Sequence, residues 1–504
     1  MVALCLFSVA LIACGPSPEA NCDNTVTCGA NDCVDTQTDI SNCGGCGIVC
    51  GASQVCSAGV CGIDTGSCDP GDSEECYTGQ PGTDGVGECK TGTRTCSASG
   101  TWGGCDGEVV PMGEICGNSV DDNCNGSVDE DTDTDGDGVT TCGGDCCDTV
   151  NDGCGDPSLV NPGSFEVNGN QVDDDCDGIV DNAVANCDTG LPSNSSDALE
   201  YAAAMDLCQQ ASGDSWGVVS ARLVLPDGTG TPNPTSRSIR PDFGQTMVQS
   251  GSSMVVMSTG HAADANDTNP AFAPFEGGED MATTSGPPAD WLAANGGSFP
   301  NAASCPGALD TVANDAVMLE LQIKVPTNAK SFSFSSNFFS AEYPEWVCTE
   351  FNDFFVALLD STYAGDPANP TDKNLARYTD PAMVDYPVGV NLAHGDTGLF
   401  QVCINGVTGC LGSQTGTSTT CQEPPSELSN TGFDQINGTG CAGSTLDGGG
   451  TGWLQTSGNV VGGETITLRI AIWDTSDHVY DSLVLIDNFR WSVDSSDPGT
   501  IIVD

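Results

Sequence analysis

The stretch VMLELQIKV, residues 317–325, decides the fold. Val317, Leu319, Leu321, Ile323 and Val325 recur at every second position, the period of a strand with one apolar face, where a helix would repeat at about 3.6. Farther along, TITLRIAIW, residues 465–473, repeats the pattern with Ile466, Leu468 and Ile470. SFSFSSNFF, FFVALL and SLVLIDNFRW add β-prone runs, separated by loops rich in Gly, Asn and Thr. One helix is predicted ahead of them: in DALEYAAAMDLC, Asp197 and Glu200 stand at capping-box spacing, and Leu199, Ala203 and Leu207 share a helical face. Residues 197–495 are therefore expected to form a large jelly-roll-like β-sandwich with long loop insertions, in a chain that is mostly β.

Charge narrows the partners. The 504 residues carry 71 acidic against 11 basic side chains, a formal charge of −60. Such a surface repels nucleic acid and anionic lipid headgroups and leaves cations as the natural partners. The alternative is that acidity serves solubility in salty surroundings, but Asp outnumbers Glu, and short carboxylates suit tight oxygen-ligand loops around calcium.

Most of the 30 cysteines precede residue 210, in a segment too rich in Gly, Asp and Asn to build an apolar core. Disulfides are expected to staple it, which implies an oxidising, exported location. Two small modules follow from the spacings: a tether and Cys-rich knot over 14–64, and a Cys-rich hairpin module over 65–110 in which Gly92 to Cys96 is β-prone. Cys43 and Cys46, with two glycines between them, also admit a zinc or redox reading, and Trp102 either caps a small core or offers a sugar platform.

Residues 111–190 are Asp-rich and internally repeated. EICGNSVDDNCNGSVD at 114–129 aligns with EVNGNQVDDDCDGIVD at 166–181, an offset of 52 residues. Each copy holds a D-x-[DN]-x-[DN]-G-x-x-D pattern: Asp121, Asn123, Asn125, Gly126 and Asp129, then Asp173, Asp175, Asp177, Gly178 and Asp181. Alternate oxygens turn inward and the glycine permits the bend, as at the front of a calcium loop. The bidentate Glu of an EF-hand is missing, with Thr132 and Val184 in its place, unless Glu114 and Glu166 supply carboxylates from upstream. Between the copies, Asp131, Asp133, Asp135 and Asp137 alternate again, and Asp145 is placed to close that loop. The competing reading is a set of acidic turns bonded to their own backbone amides. The segment resembles the MopE-type metal-binding motif family. That resemblance implies copper, whereas the hard oxygen donors and the absence of a nearby His favour calcium.

At the amino terminus, MVALCLFSVALIAC is too short to span a bilayer and fits a signal-peptide core over 1–13. Leu11-Ile12-Ala13-Cys14 resembles the lipobox of bacterial lipoproteins, which implies acylation of Cys14. Membrane contact is then expected only through lipid, with Gly15 favouring the outer membrane.

The β region is similar to the choice-of-anchor L domain of bacterial surface proteins. The motifs are NFFSAEYPEWVCTEFNDFF, 337–355, and AIWDTSDHVYDSLVLIDNF, 471–489, with Ala341 replacing the first acidic residue of the family pattern. The resemblance implies display at the cell surface without catalysis. Glu342, Asn352 and Asp353 in the first motif, and Asp474, Asp477 and Asp481 in the second, are a candidate further cation site if the sheets bring the two loops together. Trp346, Trp453, Trp473 and Tyr343 are either core or the lining of a carbohydrate groove. No catalytic motif stands out; the alternatives are a spatially assembled site, such as His478 among Asp474, Asp477 and Asp481, or a glycosidase carboxylate pair that nothing in the sequence singles out. The expected function is a calcium-stabilised stalk displaying an adhesion or interaction head toward an extracellular protein or glycan. The alternatives are a carbohydrate-binding module or carbohydrate-active enzyme, or copper sequestration.

Overall fold

The computed structural model describes residues 26–28, 32–34 and a scatter between 36 and 63, then 68–502 apart from 113–114, 130, 132, 150–152, 183–184, 214, 278, 395–396, 412–416, 435–440 and 442–447. Cys14 and the leader, Glu114, Thr132 and Val184 lie outside the described residues. The chain divides into two compact units, 1–134 with 138–144, and 135–137 with 145–504.

The first unit is held by sulfur more than by apolar side chains. The predicted hairpin is present: Ser73–Cys76 pairs antiparallel with Gly92–Thr95. Disulfides Cys43–Cys56, Cys68–Cys96, Cys76–Cys105, Cys89–Cys124 and Cys116–Cys142 cross-link the unit. Cys43 therefore bonds to Cys56 and not to Cys46, which excludes the metal or redox reading of that pair. The small buried clusters are Cys43, Cys50 and Cys56, and Tyr77, Cys89 and Cys124. Arg94 lies over the Trp102 ring, 4.8 Å from its centroid, and pairs with Glu74, so that indole is a cation's support.

The second unit is the expected β-sandwich. Its strands are β1 (Gly217–Val224), β2 (Arg237–Arg240), β3 (Met254–Ser258), β4 (Thr284–Ser285), β5 (Ala313–Lys324), β6 (Ser331–Ser340), β7 (Phe354–Asp360), β8 (Gly449–Gly450), β9 (Leu454–Asn459), β10 (Thr465–Thr475), β11 (Ser482–Ser492) and β12 (Gly499–Ile502). One sheet has the order β12-β9-β6-β11-β3-β2, with β8 also on β6; the other runs β4-β5-β10-β7, with β1 also on β5. All these pairings are antiparallel.

Alternation places the predicted residues in the core between the sheets. Val317, Leu319, Leu321 and Ile323 of β5 and Ile466, Leu468 and Ile470 of β10 meet Phe332, Phe334, Val484 and Ile486 of the opposite sheet. Leu319 faces Ile470 and Leu321 faces Leu468 across the β5–β10 pair. The other faces are not solvated. Met318, Phe354, Val356, Ala471 and Trp473 pack under Trp291 of the short helix α2 (Ala289–Ala294), and Met254, Val256, Leu483 and Leu485 lie under Phe275, Leu428 and Phe433 from the loops. Each sheet is thus covered on both sides, the loop insertions supplying the outer layers.

The predicted helix, α1, forms over Ala198–Ala203, capped by Asp197 through its bond from the Leu199 amide. Its buried face is Ala198, Tyr201 and Ala202, a correction to the predicted stripe. The helix ends too early to carry Leu207, which reaches the core after the chain turns at Asp206, φ +69°.

Candidate metal sites

The two Asp-rich copies fold alike. Positive φ angles recur at the same register: Gly117 and Gly169 (78° and 82°), Ser119 and Gln171 (62° and 65°), Cys124 and Cys176 (60° and 57°), Gly126 and Gly178 (98° and 92°), Asp129 and Asp181 (49° and 54°). Gly126 and Gly178 make the bend that seats the loop, where L side chains are disfavoured. In each copy the first Asp accepts two backbone amides: Asn125 and Gly126 donate to Asp121 at 3.1 and 2.9 Å, and Asp177 and Gly178 donate to Asp173 at 3.1 and 2.9 Å. Asn123 and Asn125, like Asp175 and Asp177, accept the amide two residues on. The closing Asp reaches back, Asp129 to the amides of Asn118 and Ser119, Asp181 to that of Gly169. Glu166 turns into its own loop, accepting the amides of Asp174 and Asp175 at 2.8 and 3.2 Å.

The intervening loop divides. Asp133 accepts the Gly138 amide at 3.1 Å. Asp135, Asp137 and Asp145 converge, with one carboxylate oxygen of each within 4.8 Å of the others. Asp145 is only 6% exposed, and its Oδ2 has no hydrogen-bond partner. Burial, with Asp137 and Asp135 beside it, pushes its pKa up to about 6. Asp131 is exposed.

In the sandwich, the two acidic motifs are the two chain crossovers at one end. The segment from Ala341 to Asp353 carries the chain from β6 to β7, and the turn after Thr475 carries it from β10 to β11. Because β6 neighbours β11 and β7 neighbours β10, the crossovers run side by side. Ser340 pairs with Ser482 and Phe354 with Trp473, so the next positions outward set Ala341 beside Asp481 and Asp353 beside Asp474. The Ala341 amide donates to the Asp481 carbonyl at 3.1 Å.

The carboxylates gathered there are deeply buried: Asp474 is 0% exposed, Glu342 and Asp481 1%, and Asp353 2%. Asp353 accepts the Ser482 hydroxyl at 2.6 Å and the Thr475 amide at 3.2 Å. Oε2 of Glu342 and Oδ1 of Asp481 lack a hydrogen-bond partner, and the Asp474 oxygens, beside the Thr259 hydroxyl and the Asp353 carboxyl, make no hydrogen bond of good geometry. Burial raises the pKa of all four, Asp353 to about 8; repulsion adds to it, from Asp477 on Glu342 and Asp353, and from Asp353 and the buried Asp315 on Asp474 and Asp481. Gly260 closes one wall: a Cβ there would lie 2.1 Å from Asp481 Oδ2. Of the other predicted residues, Asn352 accepts the Asn391 amide at 3.1 Å, and Asp477 stands half-buried beside Glu342 and Asp353.

Residues 246–490 match the Choice-of-anchor L domain family. No curated protein and no solved structure matches the chain. The choice-of-anchor L region contains both crossovers, while β1, β2 and β12 complete the sheets from outside it. Among the described residues no helix is long and apolar enough to cross a membrane.

The histidines separate within this region. His478 does not face Asp474 or Asp481; its Nδ1 meets Asp315 at 2.8 Å, with Asp280 at 3.7 Å. His261 Nδ1 bonds to the Ala271 carbonyl at 2.6 Å. His394 sits near the Cys305–Cys348 disulfide. Tyr343 and Trp473 are fully buried core, which removes them from any carbohydrate groove. Trp346 packs on Phe351 and Tyr480. A cavity of about 520 Å³ that sequence reasoning missed opens between Trp216, Phe489 and Trp491, with Asp206, Arg490 and Asn168 among its lining. Its aromatic members are scattered over the sequence, so no local pattern signalled it.

Proposed function

We propose that the protein is a non-enzymatic, lipid-anchored surface protein, held through Cys14 at the outer membrane. In this reading calcium stiffens the Asp-rich loops, and the sandwich contacts an extracellular protein or glycan. The match to a choice-of-anchor domain supports the cell-surface, non-catalytic part. The observation that carries the calcium part is the pair of loops 52 residues apart with one backbone conformation and oxygen side chains at the same alternate positions, together with the buried, unpartnered oxygen of Asp145 in the segment between them. Copper is disfavoured by the donors: every cysteine whose side chain is described is in a disulfide, which leaves no thiolate for a soft metal. An ion present at a hundredfold its Kd adds about 3 kcal/mol to a loop that binds it only when folded. Chelating calcium from the oxidised full-length protein should therefore expose residues 115–182 to protease, and Asp173→Asn with Asp175→Asn should do so in calcium. Equal protease resistance with and without calcium would refute the reading.

The cavity beside Trp216 and Trp491 favours a second reading, carbohydrate binding. Aromatic faces edged by carboxylate, amide and guanidinium groups suit a sugar ring. Full-length protein on a glycan array should then show signals that fall at least tenfold in Trp491→Ala. An array without binders, or signals unchanged by that substitution, would reject it.

A further inference from the structure

We propose that Glu342, Asp353, Asp474 and Asp481 form a divalent-cation site, calcium by its chemistry, inside the end of the sandwich where the two crossovers join the sheets. The site goes beyond the Asp-rich loops and stands whether or not those loops bind metal.

Four carboxyl groups are withdrawn from water there, at a desolvation cost of several kcal/mol for each that stays ionised. Native interiors answer such a cost with hydrogen bonds or opposite charge. Here the hydrogen bonds are incomplete: Asp474 is approached only by the Thr259 hydroxyl and the Asp353 carboxyl, neither in good hydrogen-bond geometry, and Glu342 and Asp481 each keep one bare oxygen. Opposite charge is missing as well. The ion pairs made by Arg and Lys among the described residues go to Glu74, Glu320, Asp267, Asp290, Asp360 and Asp385. The imidazole that follows Asp477 in the chain, His478, is turned to Asp315. A bound cation supplies what the protein does not.

The donor set selects the cation. All four side chains offer carboxylate oxygen, which suits calcium, an ion that takes six to eight oxygens in adaptable geometry. Neither thiolate nor imidazole faces the group, so the donors that zinc and copper prefer are absent there. The four residues come from two crossovers that link both sheets, so one ion would tie together chain segments about 130 residues apart (Asp474 against Glu342). Asp477, half-buried at the edge of the cluster, marks the side from which an ion enters.

The test uses the oxidised full-length chain and counts bound calcium by native mass spectrometry, comparing wild type with Asp474→Asn, Asp481→Asn and the Asp173→Asn, Asp175→Asn pair. The site predicts one ion fewer in each crossover variant, with the Asp-rich loops still loaded. It also predicts that calcium raises the melting temperature of the sandwich in the loop variant and no longer does so in Asp474→Asn. Infrared spectra of wild type keep the proposal testable should the crossover variants fail to fold. Calcium should abolish the band of buried protonated carboxyls that the calcium-free protein shows. An unchanged ion count in both folded variants, or a protonated-carboxyl band that persists at calcium saturation, would overturn the site and identify the cluster as neutral acids sharing protons.

Discussion

Reduction and alkylation of the disulfides under native conditions should unfold the first unit while the sandwich keeps its β-sheet circular dichroism. Among the described residues, the apolar side chains that the first unit buries are half-cystines and Tyr77, so little apolar packing remains there once sulfur bonds are lost. Its disulfides Cys68–Cys96, Cys76–Cys105, Cys89–Cys124 and Cys116–Cys142 close loops of 28, 29, 35 and 26 residues. Loops of that size are each worth about 3 to 4 kcal/mol of restricted unfolded-state entropy. Together they rival or exceed the roughly 5 to 15 kcal/mol by which a domain is usually stable. Limited proteolysis reads the result: cleavage between residues 68 and 129 after reduction, with a protected fragment spanning the sandwich. A reduced chain that stays resistant in that stretch would mean that packing, not cross-linking, holds the unit.

Trp473→Ala should be the most damaging single substitution in the sandwich. Trp473 is fully buried and its ring lies 5.6 Å from Trp291, 5.8 Å from Phe299 and 5.9 Å from Phe354, centroid to centroid. Removing it deletes the centre of the outer core under α2, at a cost of about 3 to 5 kcal/mol. For a domain of this size the melting temperature should fall by about 5 to 8 °C. Trp453→Ala, at a partly buried ring on the opposite sheet's outer face, is the control and should cost far less. Equal effects from the two would show that the aromatic cluster is not the organising contact.

Trp473 also marks the limit of what alternation reveals. The inward residues Val317, Leu319, Leu321, Leu468 and Ile470 were legible because one apolar face repeats every second position, and the sheets use that face. The outward residues Met318, Ala471 and Trp473 were not, because their burial depends on α2 and loops distant in sequence. The acidic motifs were legible as composition, but their convergence needed the order of the strands: β6 beside β11 and β7 beside β10. The Asp-rich repeat was readable from its offset. Less so was the way the second copy joins the sandwich unit, where Asn328 bonds both the amide and the carbonyl of Phe165 and Trp216 donates to Ser164. Those contacts are made by single polar side chains with no periodic signature.

Most of the chain's few cations are already engaged. Arg222, Arg240, Lys373, Arg377 and Arg469 pair with acids, Arg237 bonds Tyr201, and Lys324 bonds the Gly213 carbonyl. What faces outward is accordingly almost unmixed anion, felt over about 8 Å in physiological salt. Copies crowded on one cell surface would hold each other at a distance like the bristles of a polyelectrolyte brush, and the hardness of the surrounding water would set how closely they stand.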